Sequence, residues 1–444
     1  MPVVQREPEQ RHQLLTRLDE ARRNTDALFQ SVKPEAIYDR PIPERHRIVF
    51  YIGHLEAFDW NLLHERAFGI KAFDPKLDRL FAFGIDPVGG GLPTDQPQDW
   101  PPISDVRSYV ARIRENLDSA FEDLLEDEGR QAKLEFPITQ LMQVAIEHRL
   151  MHAETLAYML HQLPLDRKVA PPPDRKLAAL GSTPEMVEIP AGHATLGLRR
   201  DSGIFGWDNE FEENTVQVPA FKIDRFKVSN GQFLEFLHAG GYDNPAFWGP
   251  ADWHWRSTQK ISHPGFWLKR DGNWFFRGMF EERPLPLDWP VYVSHAEASA
   301  YARWAGKSLP SEEQWHRAAF GNPAGEENLY PWGNEAPDAA RGNFDFQRWD
   351  PAPVSAFPKG QSAFGVMDMM GNGWEWTSTL FSPFPGFQPF PFYLGYSADF
   401  FDNKHFVMKG GSPRTAACMV RRSFRNWFQP HYPYVYAGFR CVSH

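Results

Sequence analysis

Two histidines, His148 and His152, are the residues whose type and spacing suggest chemistry most directly. Because an α-helix turns about 100° per residue, side chains four positions apart project from the same face, about 40° apart. Two imidazoles placed in this way can bind one metal ion, as the paired histidines of zinc helices do. Glu154 points away from the pair and is a poor third ligand. Such pairs also occur on exposed helix faces, so the spacing alone leaves metal binding open.

A third nitrogen donor is offered by His54, which lies in an apolar helical stripe. Phe50, Tyr51 and Phe58 share its helix face, so the imidazole is predicted to lie inside the fold. A lone histidine in such a stripe is often a hydrogen-bonded core residue. If its helix neighbours that of the histidine pair, the three rings form a site of neutral nitrogen donors. Such a site suits Zn, Fe or Cu, and the ligand type does not choose among them.

The helical pattern that must position these histidines occupies the first part of the chain. Apolar spacing near 3.6 residues predicts four long helices, at 9–32, 44–65, 104–126 and 137–162. They indicate an up-down bundle, and we place this domain at 9–165. A long loop is predicted at 74–102, with three consecutive glycines at 89–91. Loops of this length inside a compact domain are usually functional or disordered.

The rest of the chain has a different pattern. Three consecutive prolines among charged residues indicate a semi-rigid linker at 166–183, and we place a second domain at 184–444. In that domain, short β segments are separated by Gly-, Pro- and Asn-rich loops, and much of the aromatic-rich chain is expected to have little regular structure. The predicted fold class is α+β, with strands at 186–189, 216–223, 291–293 and 405–409 and helices at 295–305 and 311–319.

Composition excludes several classes of protein. The 444 residues include 47 Lys+Arg and 57 Asp+Glu, and this acidic balance argues against a general nucleic-acid binder. No run approaches the roughly 20 apolar residues of a membrane span. The 2 cysteines, Cys418 and Cys441, exclude a disulfide scaffold and a cysteine-based zinc cluster. The first residues lack the apolar stretch of a signal peptide, so we expect a cytoplasmic protein.

Aromatic side chains are concentrated near the C-terminus. Aromatic faces with few neutralising carboxylates are what a quaternary ammonium ligand needs, although aromatic clusters more often build a core. The segment at 371–377 also combines glycines with two tryptophans and is typical of tight turns that let backbone approach packed indoles. The C-terminal residues concerned are Trp427, Phe428, Tyr432, Tyr434 and Tyr436.

Six short motifs follow one another in the second half of the chain. They are VSNGQFLEFL around Phe233, ARWAGKSLPSEEQW at 302–315, DMMGNGWEWT from Asp368, KGGS from Lys409, SFRNW from Ser423 and AGFR from Ala437. In this order, after a three-histidine bundle, they resemble the ergothioneine-type sulfoxide synthase family and its selenoneine synthase branch. That family joins a DinB-like bundle to a formylglycine-generating-enzyme-like domain with a C-type-lectin-related fold.

The resemblance implies a non-haem Fe(II) enzyme that uses O2 to join a sulfur or selenium donor to the imidazole carbon of hercynine (Nα-trimethylhistidine). It implies that Asn426 and Trp427 lie near the small-molecule substrates. It also places the proton-donating tyrosine within 392–396, which leaves Tyr393 and Tyr396 as candidates. Other branches supply this tyrosine from the loop at 80–100, which here contains phenylalanines and no tyrosine. The residues that the resemblance assigns to iron are His54, His148 and His152.

Departures from the family pattern bear on the donor. The branch that uses γ-glutamylcysteine has Asp and Arg where this chain has Phe428 and Tyr432. Met151 also replaces a glutamine of that branch, and Pro413 replaces a tryptophan. A γ-glutamyl donor would lose its charged partners, so we expect a less charged donor. Free cysteine and a selenosugar remain open, and the selenosugar would place the chain in selenoneine biosynthesis.

Three other functions compete with this one. A copper-dependent formylglycine-generating enzyme needs two cysteines five positions apart, but Ser423 stands five positions after Cys418. A DinB-type zinc-dependent thiol transferase with a fused binding domain would use the same three histidines. A lectin-like binding protein without catalysis would need none of them. Metal identity and the effect of replacing a histidine distinguish these alternatives.

Overall fold

The α+β class is confirmed by the computed structural model, which describes residues 7–82, 92–181 and 183–443. The chain divides into two compact units, Met1–Pro172 and Pro173–His444. The first is helical, and the second mixes short helices with small sheets. Within the described ranges, no helix combines the length and the apolar character needed to cross a bilayer.

Four long helices form the predicted bundle of the first unit. The helices of this unit are α1 (Glu7–Gln30), α2 (Ile48–Leu63), α3 (Pro75–Leu80), α4 (Ile103–Glu126), α5 (Glu128–Gln131) and α6 (Ile138–His161). Helix α6 begins directly after Pro137, whose missing N–H costs nothing at a helix start. The predicted ends of the long helices differ from the observed ones by only a few residues.

Helix α2 lies between α4 and α6, whereas α1 packs against α6. Helix α4 buries one stripe of apolar side chains three or four positions apart, as an amphipathic helix on the outside of a bundle does. By contrast, 13 residues of α2 are buried, including both polar and apolar ones. Its His54 therefore lies in the interior, next to α6.

The prediction of one long loop at 74–102 was wrong in part, because α3 lies within it. Pro75 suits a first helical turn, and the Asp74 side chain accepts a hydrogen bond from the Leu77 N–H at 3.0 Å. These capping groups favour a short helix, although its sequence has no apolar repeat from which a helix could be predicted. Phe83 and the three glycines at 89–91 lie outside the described residues.

Among the residues of the second unit that the structure describes, the strands form four small sheets. Their strand orders are β1-β4-β12, β2-β3, β5-β6-β7 and β10-β9-β8-β11. The strands are β1 (Met186–Ile189), β2 (Gly192–Leu196), β3 (Asn214–Val218), β4 (Phe221–Asp224), β5 (Trp267–Arg270), β6 (Asn273–Arg277), β7 (Glu282–Pro284), β8 (Trp374–Leu380), β9 (Phe406–Lys409), β10 (Asn426–Phe428), β11 (Ala437–Gly438) and β12 (Val442–Ser443).

The described residues of the second unit also form four α-helices. They are α7 (Asn230–His238), α8 (Pro250–Gln259), α9 (His295–Trp304) and α10 (Glu312–Phe320). Helix α10 packs against strands of two sheets, and it contributes Trp315 and Phe320 to a core that also contains residues of β1 and β4. Helices α9 and α10 were predicted, whereas α7, α8 and the sheet β5-β6-β7 were not.

Two strand predictions were wrong. The segment 216–223 contains two strands rather than one, because Pro219 between them has no N–H to donate to a ladder. The segment 291–293 is not a strand, although its backbone is paired. Val291 N–H donates to the Val228 carbonyl at 3.0 Å, and Val293 N–H donates to the Ala437 carbonyl at 2.8 Å. Irregular hydrogen bonding of this kind pairs the buried backbone N–H and C=O groups, and it requires no periodic pattern in the sequence.

Candidate metal centre and aromatic cluster

The three predicted histidines come together inside the bundle. His152 Nε2 lies 3.3 Å from His54 Nε2 and 3.1 Å from His148 Nε2. All three side chains are buried, and one nitrogen of each lies within 4.8 Å of the others. Nitrogens bound at about 2.1 Å to one ion are separated by roughly 3.0 to 3.4 Å, so this spacing fits a shared metal. No other group of this kind occurs in the described ranges.

The orientation of His54 is fixed by the end of α3. His54 Nδ1 lies 2.7 Å from the carbonyl oxygen of Phe81, the C-cap residue of that helix. An Nδ1–H that donates to this carbonyl leaves the Nε2 lone pair free for a metal. The close approach needs Gly53, because a Cβ there would lie 2.6 Å from the Phe81 ring. Gly53 thus lets α3 supply the hydrogen bond that orients His54.

Aromatic rings hold the imidazoles in place. Phe58 stacks on His148 with 3.4 Å between ring centroids and an interplanar angle of 11°. Phe50 stacks on His54 at 4.8 Å and 20°. The face of α2 that carries Phe50, His54 and Phe58 therefore has two roles. It supplies one nitrogen donor, His54, and it packs against another, His148 on α6.

The three imidazoles are neutral near pH 7. Burial lowers the pKa of His54 to about 4, although the hydrogen bond to the Phe81 carbonyl opposes this fall, and the nearby His46 and Arg149 lower the pKa further. Burial also holds the pKa values of His148 and His152 well below the usual range, and the neighbouring imidazoles lower them further. A metal ligand must be deprotonated, so these nitrogens are in the form that binds a cation. Their chemistry and spacing fit a divalent metal held by three neutral donors.

A cluster of buried charges next to the histidines was not predicted. Arg149, which directly follows His148, contacts Glu56 and Asp59 on α2. The positions of these carboxylates, two and five residues after His54, were visible in the sequence. What the sequence could not show is that the two helices bring them to one guanidinium. The hydrogen bond to the Phe81 carbonyl was also not predicted, because every residue has a backbone carbonyl and the sequence does not show which one will meet His54.

In the second unit, a separate aromatic cluster surrounds Trp427. Its ring stacks on Phe381 at 4.1 Å and 7°. Tyr396 meets it edge-on at 5.6 Å, and Phe400 meets it at a tilt at the same distance. Tyr396 in turn stacks on Trp207 at 4.0 Å and 25°. The structure thus brings two of the predicted site residues, Tyr396 and Trp427, into contact with three aromatic rings that the sequence did not single out.

Two other predicted residues lie beside this cluster. The Tyr393 ring is 5.6 Å from Tyr396 and 6.4 Å from Trp207. Asn426 is half-buried, and its Oδ1 accepts a hydrogen bond from the Trp427 N–H at 2.8 Å. On β10 the side chain of Asn426 points to the face opposite to that of the Trp427 indole. Of the two tyrosines proposed as proton donors, Tyr396 contacts Trp427 directly and Tyr393 contacts Tyr396.

Phe428 and Tyr432 form a pair of their own. Their rings stack at 5.1 Å and 17°, and Tyr434 meets Tyr432 edge-on at 5.1 Å. Neighbouring residues of a strand point to opposite faces, so Phe428 on β10 is directed away from the cluster that contains Trp427. The two positions predicted to contact the donor are thus joined to each other by aromatic stacking.

Hydrogen bonds and charges fix the backbone around the cluster. Ser397 donates to the Asp208 carboxylate at 2.6 Å, which ties the segment of Tyr396 to that of Trp207. Burial raises the pKa of Asp208 to about 6, although the Ser397 hydrogen bond opposes this rise. Arg425 lies 4.9 Å from the Phe381 centroid and is neutralised by Glu312 at 3.0 Å. None of these contacts was predicted, because they join residues far apart in the chain.

Comparison with known proteins covers both units. Residues 17–156 match the DinB superfamily, and residues 173–444 match the Sulfatase-modifying factor enzyme 1-like domain. Hercynine oxygenase of Mycolicibacterium smegmatis is 36% identical over 77% of this chain and 78% of its own length. The enzyme of the same name from Mycolicibacterium thermoresistibile is 34% identical over 86% of each chain. Ergothioneine biosynthesis protein 1 of Neurospora crassa is 28% identical over 93% of this chain and 55% of its own length. The chain therefore belongs to the ergothioneine sulfoxide synthase family, in which a DinB domain is followed by a formylglycine-generating-enzyme-like domain.

Proposed function

We propose that this protein is an oxidative enzyme that forms a carbon–chalcogen bond on the imidazole ring of hercynine. The observation that carries the proposal is the group of three buried, neutral histidines in a chain that aligns with hercynine oxygenases through both of its domains. The name of those relatives supplies the substrate, and the histidine group supplies the place for a metal. The substrates are small molecules, and the proposal requires neither a nucleic acid nor a membrane.

We assign Fe(II) to His54, His148 and His152, with O2 as co-substrate. When bound, iron supplies open coordination positions and the redox chemistry that O2 requires. The chain itself contributes a rigid and dry donor set. The Phe81 carbonyl holds His54 with Nε2 toward the other two nitrogens, and Phe58 holds the His148 ring by stacking. Preorganised ligands of this kind need no rearrangement when the metal binds.

The overall reaction balances with one molecule of O2. Joining the substrates removes one hydrogen from the imidazole carbon and one from the chalcogen, which is a two-electron oxidation. Where the product is a sulfoxide, one oxygen atom is added to the chalcogen, and this takes two more electrons. The second oxygen atom then leaves as water with the two hydrogens. Where the chalcogen is not oxygenated, O2 takes only the first two electrons and leaves with both hydrogens as hydrogen peroxide. A protein group that donates a proton to reduced oxygen assists this balance.

We assign to the aromatic cluster in the second unit the two roles that the metal does not perform, which are binding of hercynine and donation of a proton. We propose that the trimethylammonium group of hercynine binds against Trp427 or its aromatic neighbours, since a quaternary ammonium is attracted to the faces of aromatic rings. Asn426, which precedes Trp427 on β10, is proposed as a second contact to the substrates. Tyr393 or Tyr396 is proposed as the proton donor. Of these two, Tyr396 is more buried and touches Trp427 directly.

The proposed donor is a selenosugar or a cysteine-type thiol rather than γ-glutamylcysteine. Phe428 and Tyr432 stack on each other where a γ-glutamyl donor would need a charged pair. An aromatic pair carries no charge that could pair with the carboxylate and the ammonium group of that donor, and it favours the less charged donor. With a selenosugar the product belongs to selenoneine biosynthesis, and with cysteine it belongs to ergothioneine biosynthesis.

A zinc-dependent thiol transferase would use the same histidines, and the identity of the metal separates the two functions. The experiment is anaerobic purification followed by metal analysis and an oxygen-electrode assay with hercynine and each donor. We expect about one iron per chain and O2 uptake that requires both substrates. The His148→Ala variant, the matched control, should contain no iron and consume no O2. Stoichiometric zinc together with no hercynine-dependent O2 uptake would overturn the proposal.

A further inference from the structure

A buried ion cluster lies directly beside the histidine centre. It consists of Glu56 and Asp59 on α2 and Arg149 on α6, and we call these three residues the α2–α6 clamp. Arg149 is 0% exposed, and each carboxylate residue is 1% exposed. Glu56 follows His54 by two positions, and Arg149 follows His148 by one. Every charge of the clamp is therefore carried by one of the two helices that hold the three histidines.

The clamp joins the two helices through directional hydrogen bonds. Arg149 donates from Nη1 to Glu56 Oε1 at 2.9 Å and from Nη2 to Glu56 Oε2 at 2.8 Å. It also donates to Asp59 Oδ2 at 2.6 Å and to the Leu55 carbonyl at 3.1 Å. A guanidinium that grips a carboxylate through two parallel bonds tolerates little change in geometry. The clamp thus fixes both the rotation of α2 about its own axis and the position of α2 along the axis of α6.

Glu56 is also tied to the other helices of the bundle. Arg114 on α4 donates to Glu56 Oε1 at 2.8 Å, and the same guanidinium binds both oxygens of Asp26 on α1, at 2.7 and 2.8 Å. A single carboxylate on α2 therefore receives hydrogen bonds from α4 and α6, and it is linked through Arg114 to α1. Burial of the apolar residues of α2 would not by itself require these hydrogen bonds.

Precise placement of α2 matters because His54 is the only one of the three histidines on that helix. A slip of one residue along an α-helix moves a side chain by about 1.5 Å and turns it by about 100°. Most of α2 is buried, so apolar contacts on several sides would allow such a slip more readily than a bidentate ion pair would. Buried ion clusters are often no more stabilising than apolar replacements, and their best-attested use is to select one arrangement.

We propose that Glu56, Asp59 and Arg149 are positioning residues of the metal centre, which hold His54 Nε2 in reach of the nitrogens on α6. The inference rests on the proposed metal site and adds to it the residues that set its geometry. They touch neither metal nor substrate. Their effect is on the affinity and coordination geometry of the metal rather than on a chemical step.

The test uses Co(II), whose visible absorption reports coordination geometry, and the full-length protein without other metals. The main variant replaces the whole clamp with apolar residues, Glu56→Leu/Asp59→Leu/Arg149→Met, so that no charge of the clamp is left unpaired. We expect the melting temperature of the metal-free protein to stay close to that of the unaltered protein. Co(II) affinity should fall by about 10- to 100-fold, as for other groups that orient metal ligands, with a changed absorption spectrum.

The conservative variant Arg149→Lys covers the case in which the triple variant does not fold. Lysine keeps the charge but loses the bidentate geometry, so we again expect weaker Co(II) binding and a changed spectrum. The matched control is Arg17→Met, which removes a hydrogen bond of 3.3 Å to Gln143 on α6 without touching α2. This control should bind Co(II) like the unaltered protein.

The outcomes separate this inference from the proposed function. Unchanged Co(II) affinity and spectrum in a folded clamp variant would overturn the inference. Failure of the unaltered protein to bind Co(II) would overturn both the metal site and the inference. If the unaltered protein binds Co(II), the clamp variants bind it poorly and the iron form does not act on hercynine, the inference stands and the proposed function fails.

Discussion

The histidine centre and the aromatic cluster are built in opposite ways. The centre uses two regular helices, and two of its nitrogens come from one helical turn. The cluster uses a three-residue strand and irregular segments, and it joins Trp207 to Tyr396 across more than half of the second unit. The difference shows what regular structure contributes: it converts sequence spacing into geometry, whereas an irregular region sets its geometry by contacts between distant residues.

The same contrast explains how much could be predicted from the sequence. The spacing of His148 and His152 places them on one face whatever the rest of the fold does, and the stripe around His54 places it in the interior. The clamp was not predictable, because the rotation of α2 against α6 depends on packing of the whole bundle. Around Trp427, residue types suggested an aromatic site, but only the pairing of β10 with β9 and the Asp208–Ser397 hydrogen bond determine which rings meet.

The largest effect is expected in the histidine centre. Replacing His54, His148 or His152 with Ala removes one of three donors, and we expect loss of iron and a fall in turnover of at least about 1000-fold. Metal analysis and steady-state assays measure both quantities. A variant that retains iron and activity would show that its histidine is a core residue rather than a ligand.

A smaller effect is expected at Trp427, where binding rather than metal chemistry is altered. Loss of a desolvated cation–π contact costs about 2 kcal/mol, so Trp427→Ala should raise KM for hercynine by roughly 30-fold. Trp427→Phe keeps an aromatic face and should lie closer to the unaltered enzyme. An unchanged KM in the alanine variant would remove the trimethylammonium group from this cluster, while iron content serves as the control.

The aromatic pair at Phe428 and Tyr432 gives a prediction about the donor. The double variant Phe428→Asp/Tyr432→Arg replaces stacked rings with charged groups that can pair with a γ-glutamyl donor. Charge-assisted hydrogen bonds are worth about 1.5 to 3 kcal/mol, and we expect kcat/KM for γ-glutamylcysteine to rise by about 10-fold. Hercynine KM should change little. No gain with γ-glutamylcysteine would place the donor elsewhere.

The smallest effect on catalysis is expected from pH at the segment that carries Tyr396, where stability changes rather than turnover. Burial raises the pKa of Asp208 from 3.8 in the unfolded chain to about 6. Between these values the folded protein keeps a proton that the unfolded chain has lost, so the stability of the second unit falls as pH rises from about 4 to 6 and is level above that. The size of this fall is roughly 3 kcal/mol.

Asp208→Asn removes the titrating group while retaining an acceptor for Ser397. Between pH 4 and pH 6 the unaltered protein should lose this stability, whereas the variant should keep it. Urea unfolding followed by tryptophan fluorescence measures the difference. Parallel stability curves for the two proteins across this range would show that Asp208 does not titrate with a raised pKa. Iron binding in the first unit should be the same in both.

The most direct test of the whole account is mass spectrometry of the products. The Fe(II)-loaded enzyme would receive O2 and hercynine with free cysteine, γ-glutamylcysteine and a selenosugar competing in one reaction. We expect an adduct that joins the imidazole of hercynine to selenium or to the sulfur of cysteine, with γ-glutamylcysteine used least. The His148→Ala protein should form no adduct. Absence of an adduct from every donor, with iron bound to the unaltered enzyme, would contradict the account.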